Sequence, residues 1–182
     1  MDVQLLEKSF QQVSLRAVEF SASFYQNLFR RNPELEPLFA RTSQQAQEKK
    51  LIFSLAAIIE NLRNPNVLQP ALKSLGARHF QVGTLKAHYP MVGAALLDTF
   101  ADYLQSDWTP ELKATWSQAY EVIAVTMLEG AENPQAHLEP ELTFYDWIDL
   151  YGEESPQVKD AIATLTDFHY GHAAKPSVAP NL

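Results

Sequence analysis

At Asn32-Pro33, Asn64-Pro65, Thr109-Pro110 and Ser155-Pro156 a residue able to cap a helix stands directly before proline. A side-chain oxygen at such a position accepts a backbone N–H that has no partner in the first helical turn. Proline at the next position gives up a donor that would have gone unused. The chain is thereby cut into helical lengths before any side chain is packed. Between the marks, apolar residues recur at three and four: Leu6, Phe10 and Val13; Leu51, Leu55, Ile58, Ile59 and Leu62; Val92, Leu96, Phe100 and Tyr103; Trp116, Tyr120, Ile123 and Met127. Starts and spacing together predict helices near 3–16, 18–30, 33–39, 44–63, 66–79, 88–105 and 109–130. No stretch alternates as a strand does, and no Asn-Gly or Asp-Gly hairpin signal is present. The expected class is all-α.

With 182 residues, 46% of them hydrophobic, the chain can fill a core without staples. It has no cysteine, which excludes thiol catalysis, iron–sulfur clusters, Cys-zinc sites and thioether-linked cofactors. No apolar run approaches the roughly 20 residues of a membrane span. Met1-Asp2-Val3-Gln4 shows no basic region leading into an apolar one, so a cytoplasmic protein is expected. The net charge is −8, and residues 139–182 carry eight acids against Lys159 and Lys175, a net −6. Nucleic acid is a poor partner for such a charge.

Residues 1–133 read as one helical domain. Ala131-Glu132-Asn133-Pro134 breaks its last helix. An acidic, aromatic and partly helical extension, 134–172, follows. Thr143–Tyr151 is too aromatic for a free linker, and Ser155–Phe168 has helical apolar spacing. Residues 173–182 read as a disordered tail.

Of the five histidines, His169 and His172 are three apart and could share a helix face; the Tyr170-Gly171 between them reads as a fraying end, and nothing further supports zinc there. His79 stands apart because of its company. The run Phe24-Tyr25-x-x-Leu28-Phe29-x-x-Asn32-Pro33-Glu34-Leu35-x-x-x-Phe39 is followed in order by Gln47-x-x-x-Leu51, Ile59-Glu60-Asn61-Leu62 and Leu75-Gly76-x-Arg78-His79. Then come His88-Tyr89-Pro90-x-Val92-Gly93 and Trp116-x-x-Ala119-Tyr120. Over roughly residues 1–130 this series resembles the globin domain of bacterial flavohaemoglobins.

The resemblance implies a globin fold, a three-on-three helical sandwich with a C-terminal helical extension, and haem b (iron protoporphyrin IX) as cofactor. It implies His79 as the proximal ligand of the haem iron, Phe39 as the aromatic packed on the haem face, and Tyr89 as a proximal-side tyrosine. Tyr25 and Gln47 would be the distal pair that stabilises bound gas, and Leu51 the apolar residue shaping ligand entry. Dioxygen on ferrous haem gains negative charge, so a buried donor stabilises it by about 1.5–3 kcal/mol. Carbon monoxide gains less. Slow oxygen release and dioxygen chemistry, rather than simple oxygen transport, are therefore expected.

Two departures accompany the resemblance. The family pairs its proximal histidine with a glutamate near the end of the last helix, and counting from Trp116 that position falls on Ala131. Glu129 or Glu132 could replace it only if the helix ended differently. There is also no Gly-x-Gly-x-x-Gly, and the residues beyond 130 are too few for a flavin- or nicotinamide-binding reductase. The expected function is reversible binding of O2, NO and CO, with nitric oxide dioxygenase-type chemistry given an external reductant or reductase. The alternative is a haem-based gas sensor or adaptor whose residues 139–172 contact a protein partner. A pigment-binding relative of the globins is disfavoured by His79 and by the lack of cysteine.

Overall fold

The computed structural model describes residues 1–40 and 42–137. The expectations for residues 138–182, the Ser155-Pro156 mark and the His169/His172 pair among them, lie outside the described residues. Among the described residues seven α-helices follow in order: α1 (Val3–Ser14), α2 (Ala17–Arg31), α3 (Gln44–Asn61), α4 (Pro65–Gln81), α5 (His88–Leu104), α6 (Pro110–Glu132) and the short α7 (Pro134–His137). There is no strand among the described residues. Pro33–Phe39, between α2 and α3, is a 3₁₀ segment with Pro37 inside it. Its i→i+3 bonding tolerates proline better than a long α-helix would.

The proline marks locate the starts, but the capping chemistry differs from one to the next. Thr109 accepts from the Leu112 N–H at 3.2 Å, as a side-chain cap should. Neither Asn32 nor Asn64 makes a side-chain cap bond. Asn32 turns its amide back to donate to the Leu28 carbonyl at 3.1 Å, closing α2 instead of opening the next segment. Asn64 acts through its main chain, its carbonyl accepting from Val67 and Leu68 at 2.9 and 3.0 Å. Side-chain caps without a proline mark also occur, at Asp2 (Leu5 N–H, 3.0 Å) and Ser43 (Ala46 N–H, 3.3 Å).

The apolar stripes meet in a main core cluster, with a second, smaller one around Ile58, Leu72, Leu75 and Met127. The Phe100 ring stacks on Trp116 at 4.0 Å and lies tilted against Phe20 at 4.9 Å, joining α5, α6 and α2. Trp116 is buried, and its indole N–H donates to Ser9 Oγ at 3.0 Å, so α1 also meets this centre with its polar atom satisfied. Asn27 donates to Thr99 Oγ1 at 3.1 Å and fixes α2 on α5.

The most intimate contact is between α4 and α6. A Cβ at Gly76 would lie 1.8 Å from the Met127 carbonyl oxygen, and one at Gly130 2.0 Å from that of Lys73. Backbone meets backbone there, antiparallel, and only glycine permits it. The crossing sits one turn before His79.

Candidate functional site

A cavity of about 210 Å³ opens between the helices. One wall comes from α2, the 3₁₀ segment and α3, the other from α4, the start of α5 and α6. All six residues singled out from the sequence line it: Tyr25, Phe39, Gln47, Leu51, His79 and Tyr89. Their neighbours are mainly apolar, among them Phe24, Leu55, Ile58, Val92 and Leu96.

His79 lies near the end of α4. Its Nδ1 is 2.9 Å from the Leu75 carbonyl oxygen, one turn back. A carbonyl only accepts, so Nδ1 carries the proton and Nε2 keeps its lone pair. Burial lowers the pKa of the ring, opposed more weakly by the bond to Leu75. The imidazole is thus held neutral in one tautomer, the form in which histidine binds a metal. The Thr84 N–H donates to the His79 carbonyl at 2.9 Å and closes the helix end behind it.

Across the site, Tyr25 is caged by rings. Phe24, Phe39 and Phe29 lie 5.0, 5.6 and 5.8 Å from it, the first two edge-on. Its hydroxyl donates to the main-chain carbonyl of Gln47 at 3.1 Å, not to the Gln47 side chain. Tyr25 and the Gln47 backbone are therefore joined, and α2 is tied to the first turn of α3.

Tyr89 is buried, and its hydroxyl has no hydrogen-bond partner among the described residues. Burial raises its pKa. Its main-chain carbonyl accepts from the Tyr120 hydroxyl at 2.6 Å. Tyr120 has its own pKa pushed far above the ordinary phenol value, first by burial, then by the neighbouring Tyr89, against a lowering hydrogen bond from the Gly93 backbone. The helix end that bears on the missing glutamate is clear. α6 continues through Ala131 to Glu132, Glu129 pairs with Lys73 at 3.0 Å, and Glu132 is exposed. Neither carboxylate lines the cavity.

Several lining residues had no role in the site assigned from the sequence: Lys50, Ser54, Thr84, His88, Tyr120, Ile123 and Met127. Tyr120, Ile123 and Met127 share one face of α6 at helical spacing. That signal marks an inward face without distinguishing core from cavity. His88 accepts the Leu85 N–H at Nδ1 (3.1 Å), so its proton sits on Nε2.

The residues suit a flat apolar cofactor carrying its own metal. No group of three His, Cys, Asp or Glu side chains converges among the described residues. Of the two histidines lining the cavity, His88 has its Nδ1 taken by the Leu85 N–H, and His79 keeps a bare ring nitrogen at Nε2; one such donor suits a metal that brings its other donors with it, as haem iron does. The partnerless Tyr89 hydroxyl likewise marks a polar atom facing space that protein does not fill.

A helical sandwich enclosing a neutral histidine in an apolar cavity is the architecture of a haem pocket, and the comparisons agree. The family model for the globins matches residues 22–127. The chain belongs to the globin family, and haem and gas binding are implied by that membership. A flavohemoprotein of Rhodopirellula baltica is 32% identical over 123 residues, covering 65% of this chain and 30% of that protein. Flavohemoprotein B of Dictyostelium discoideum is 27% identical over 169 residues, covering 86% and 38%. The chain thus spans about a third of the length of these relatives.

Among solved structures, an engineered carbene transferase made from a candidate nitric oxide dioxygenase of Rhodothermus marinus superposes with a TM-score of 0.64. It is 30% identical and covers 75% of this chain and 96% of its own. A bacterial globin from Campylobacter jejuni gives the same TM-score at 21% identity, covering 74% and 96%, a likeness of fold. No helix among the described residues is long and apolar enough to cross a membrane.

Proposed function

We propose that this globin holds haem b through His79 Nε2, binds O2, NO and CO reversibly, and converts nitric oxide to nitrate when a separate reductase supplies electrons. One observation carries the reading. The bond from His79 Nδ1 to the Leu75 carbonyl presents the opposite nitrogen, neutral, within a cavity that Tyr25 and Gln47 also line. Phe39, Leu51 and Tyr89 line the same cavity; Phe39 would pack against the cofactor, Leu51 would narrow the gas path, and Tyr89 would stand on the His79 side. When bound, the haem supplies the iron at which a diatomic gas is held and activated.

The protein's own part is to hold, shield and donate. Its apolar walls exclude water, which strengthens each hydrogen bond inside them. The Tyr25 hydroxyl, resting on the Gln47 carbonyl, can rotate its proton toward a ligand that gains negative charge, and the Gln47 amide can add a second donor. On the other side His79 has a main-chain carbonyl as its partner, and neither Glu129 nor Glu132 reaches the cavity. A carbonyl pulls less on the imidazole proton than a carboxylate does, so His79 is a moderate electron donor. That favours dioxygen binding and nitric oxide oxidation over peroxide cleavage. A reducing, cytoplasmic setting suits a cycle that draws on an external donor.

The test is to mix nitric oxide with the haem-loaded, oxygenated protein and assay nitrate. One nitrate per haem within the mixing time is expected. Slow oxidation without stoichiometric nitrate would leave a gas-binding globin and remove the dioxygenase reading.

A further inference from the structure

Residues 61–97 contain no aspartate or glutamate, in a chain whose net charge is −8. They hold four basic side chains, Arg63, Lys73, Arg78 and Lys86. Arg63 pairs with Glu7 and Lys73 with Glu129. Arg78 and Lys86 have no acidic partner among the described residues, and the Nε of Arg78 is buried without a hydrogen bond there. Between these two cations, at the end of α4 and in the connection to α5, lie Phe80, Val82 and Leu85. They are 53%, 53% and 60% exposed. Three large exposed apolar side chains within six residues, with a cation that lacks an acidic partner among the described residues on either side in sequence, suit an aromatic, acidic ligand.

The chain itself carries such a ligand. Residues 139–154 hold six acids (Glu139, Glu141, Asp146, Asp149, Glu153 and Glu154), no basic residue, and the aromatics Phe144, Tyr145, Trp147 and Tyr151. The described residues end in α7, which packs on α4. Since α6 runs antiparallel to α4, with Met127 at Gly76 and Gly130 at Lys73, α7 delivers the chain toward the first half of α4. With 17 residues α4 is roughly 25 Å long. Seven residues from His137 to Phe144 span up to about 25 Å when extended. The aromatic run is thus within reach of the far end of α4.

We propose that the acidic segment 139–154 docks on the face formed by Arg78, Phe80, Val82, Leu85 and Lys86. Its aromatic side chains cover the exposed apolar residues, and its carboxylates answer Arg78 and Lys86. The contact stands on charge, exposure and reach, independently of whether the cavity takes haem.

The test uses the full chain at low micromolar concentration, with a benzophenone amino acid in place of Val82. After irradiation, the linked peptides are mapped by mass spectrometry. Links within one chain to residues 139–154, weakened about tenfold by high salt, are expected. Links between two chains, or only to residues 1–137, would overturn the proposal. As a second measurement, hydrogen exchange across residues 78–87 is compared between the full chain and a Phe144→Ser, Trp147→Ser, Tyr151→Ser variant. About tenfold faster exchange in the variant is expected, and equal rates would contradict the contact.

Discussion

The two walls of the cavity are built by different means. On the His79 side, α4 and α6 touch backbone to backbone at Gly76 and Gly130, and the histidine leans on a main-chain carbonyl. On the Tyr25 side, position is set by ring edges from Phe24, Phe29 and Phe39 and by one hydroxyl bond to Gln47. A backbone crossing has no rotamers through which to yield, whereas aromatic side chains can shift by tenths of an ångström at small cost. The difference teaches where this fold places its rigidity. The wall that would hold a metal at a fixed point is stiff, and the wall that would meet gases of different shape is adaptable.

Adding side-chain volume to the stiff wall should therefore have the largest effect. Gly76→Val would force a Cβ into the Met127 carbonyl and is expected to cost about 3 kcal/mol. A urea midpoint within error of the parent would show that the crossing can slide.

The same wall should respond to acid. The folded-state pKa of His79 is lowered, chiefly by burial, from an ordinary value of 6.5. The histidine therefore disfavours the unfolded chain least below that value, where the unfolded state takes up a proton the folded state resists. Its contribution is complete above about pH 6.5 and fades as pH falls. Urea unfolding of the haem-free protein from pH 8 to 5 should show a loss of stability of up to about 1.4 kcal/mol per pH unit that is absent in His79→Gln. Identical profiles would place the histidine in an open, solvated environment.

On the adaptable wall the effects should be smaller in stability and visible in ligand kinetics. Tyr25→Phe removes the bond to the Gln47 carbonyl and should cost about 1 kcal/mol. Oxygen release from the haem-loaded variant should be about tenfold faster, with carbon monoxide release little changed. Equal changes for both gases would mean that the ring's shape, and not its hydroxyl, governs release. Smallest of all, Leu51→Met keeps the volume and should cost less than about 1 kcal/mol. A loss as large as that of Gly76→Val would erase the distinction between the walls.

The sequence made the helices legible because start signals and apolar spacing are local. What it could not show was which atom does the capping. Asn32 and Thr109 look alike before proline, yet only Thr109 caps with its side chain, since the Asn32 amide joins its own backbone N–H on the Leu28 carbonyl behind it. The ordered resemblance brought out six residues that do meet at one cavity. It did not reveal that the Tyr25 hydroxyl rests on the Gln47 main chain, that Tyr120 anchors the Tyr89 carbonyl, or that two glycines set the α4–α6 crossing. Each of these depends on which residues of distant segments come together, and no local pattern encodes that. His79's bond to Leu75 is the intermediate case. Its four-residue spacing was visible, but the direction of the ring needed the helix end and the cavity beside it.

Haem binding in this cavity depends on His79 Nε2 serving as the metal-binding nitrogen. Absorption spectra of the protein titrated with haem, then with dithionite and carbon monoxide, alongside His79→Ala, test this most directly. A saturable Soret band that shifts on reduction and sharpens with carbon monoxide, and is lost or displaced in the variant, is the predicted result. A chain that takes up no haem, or one whose spectra are unchanged by His79→Ala, would contradict it.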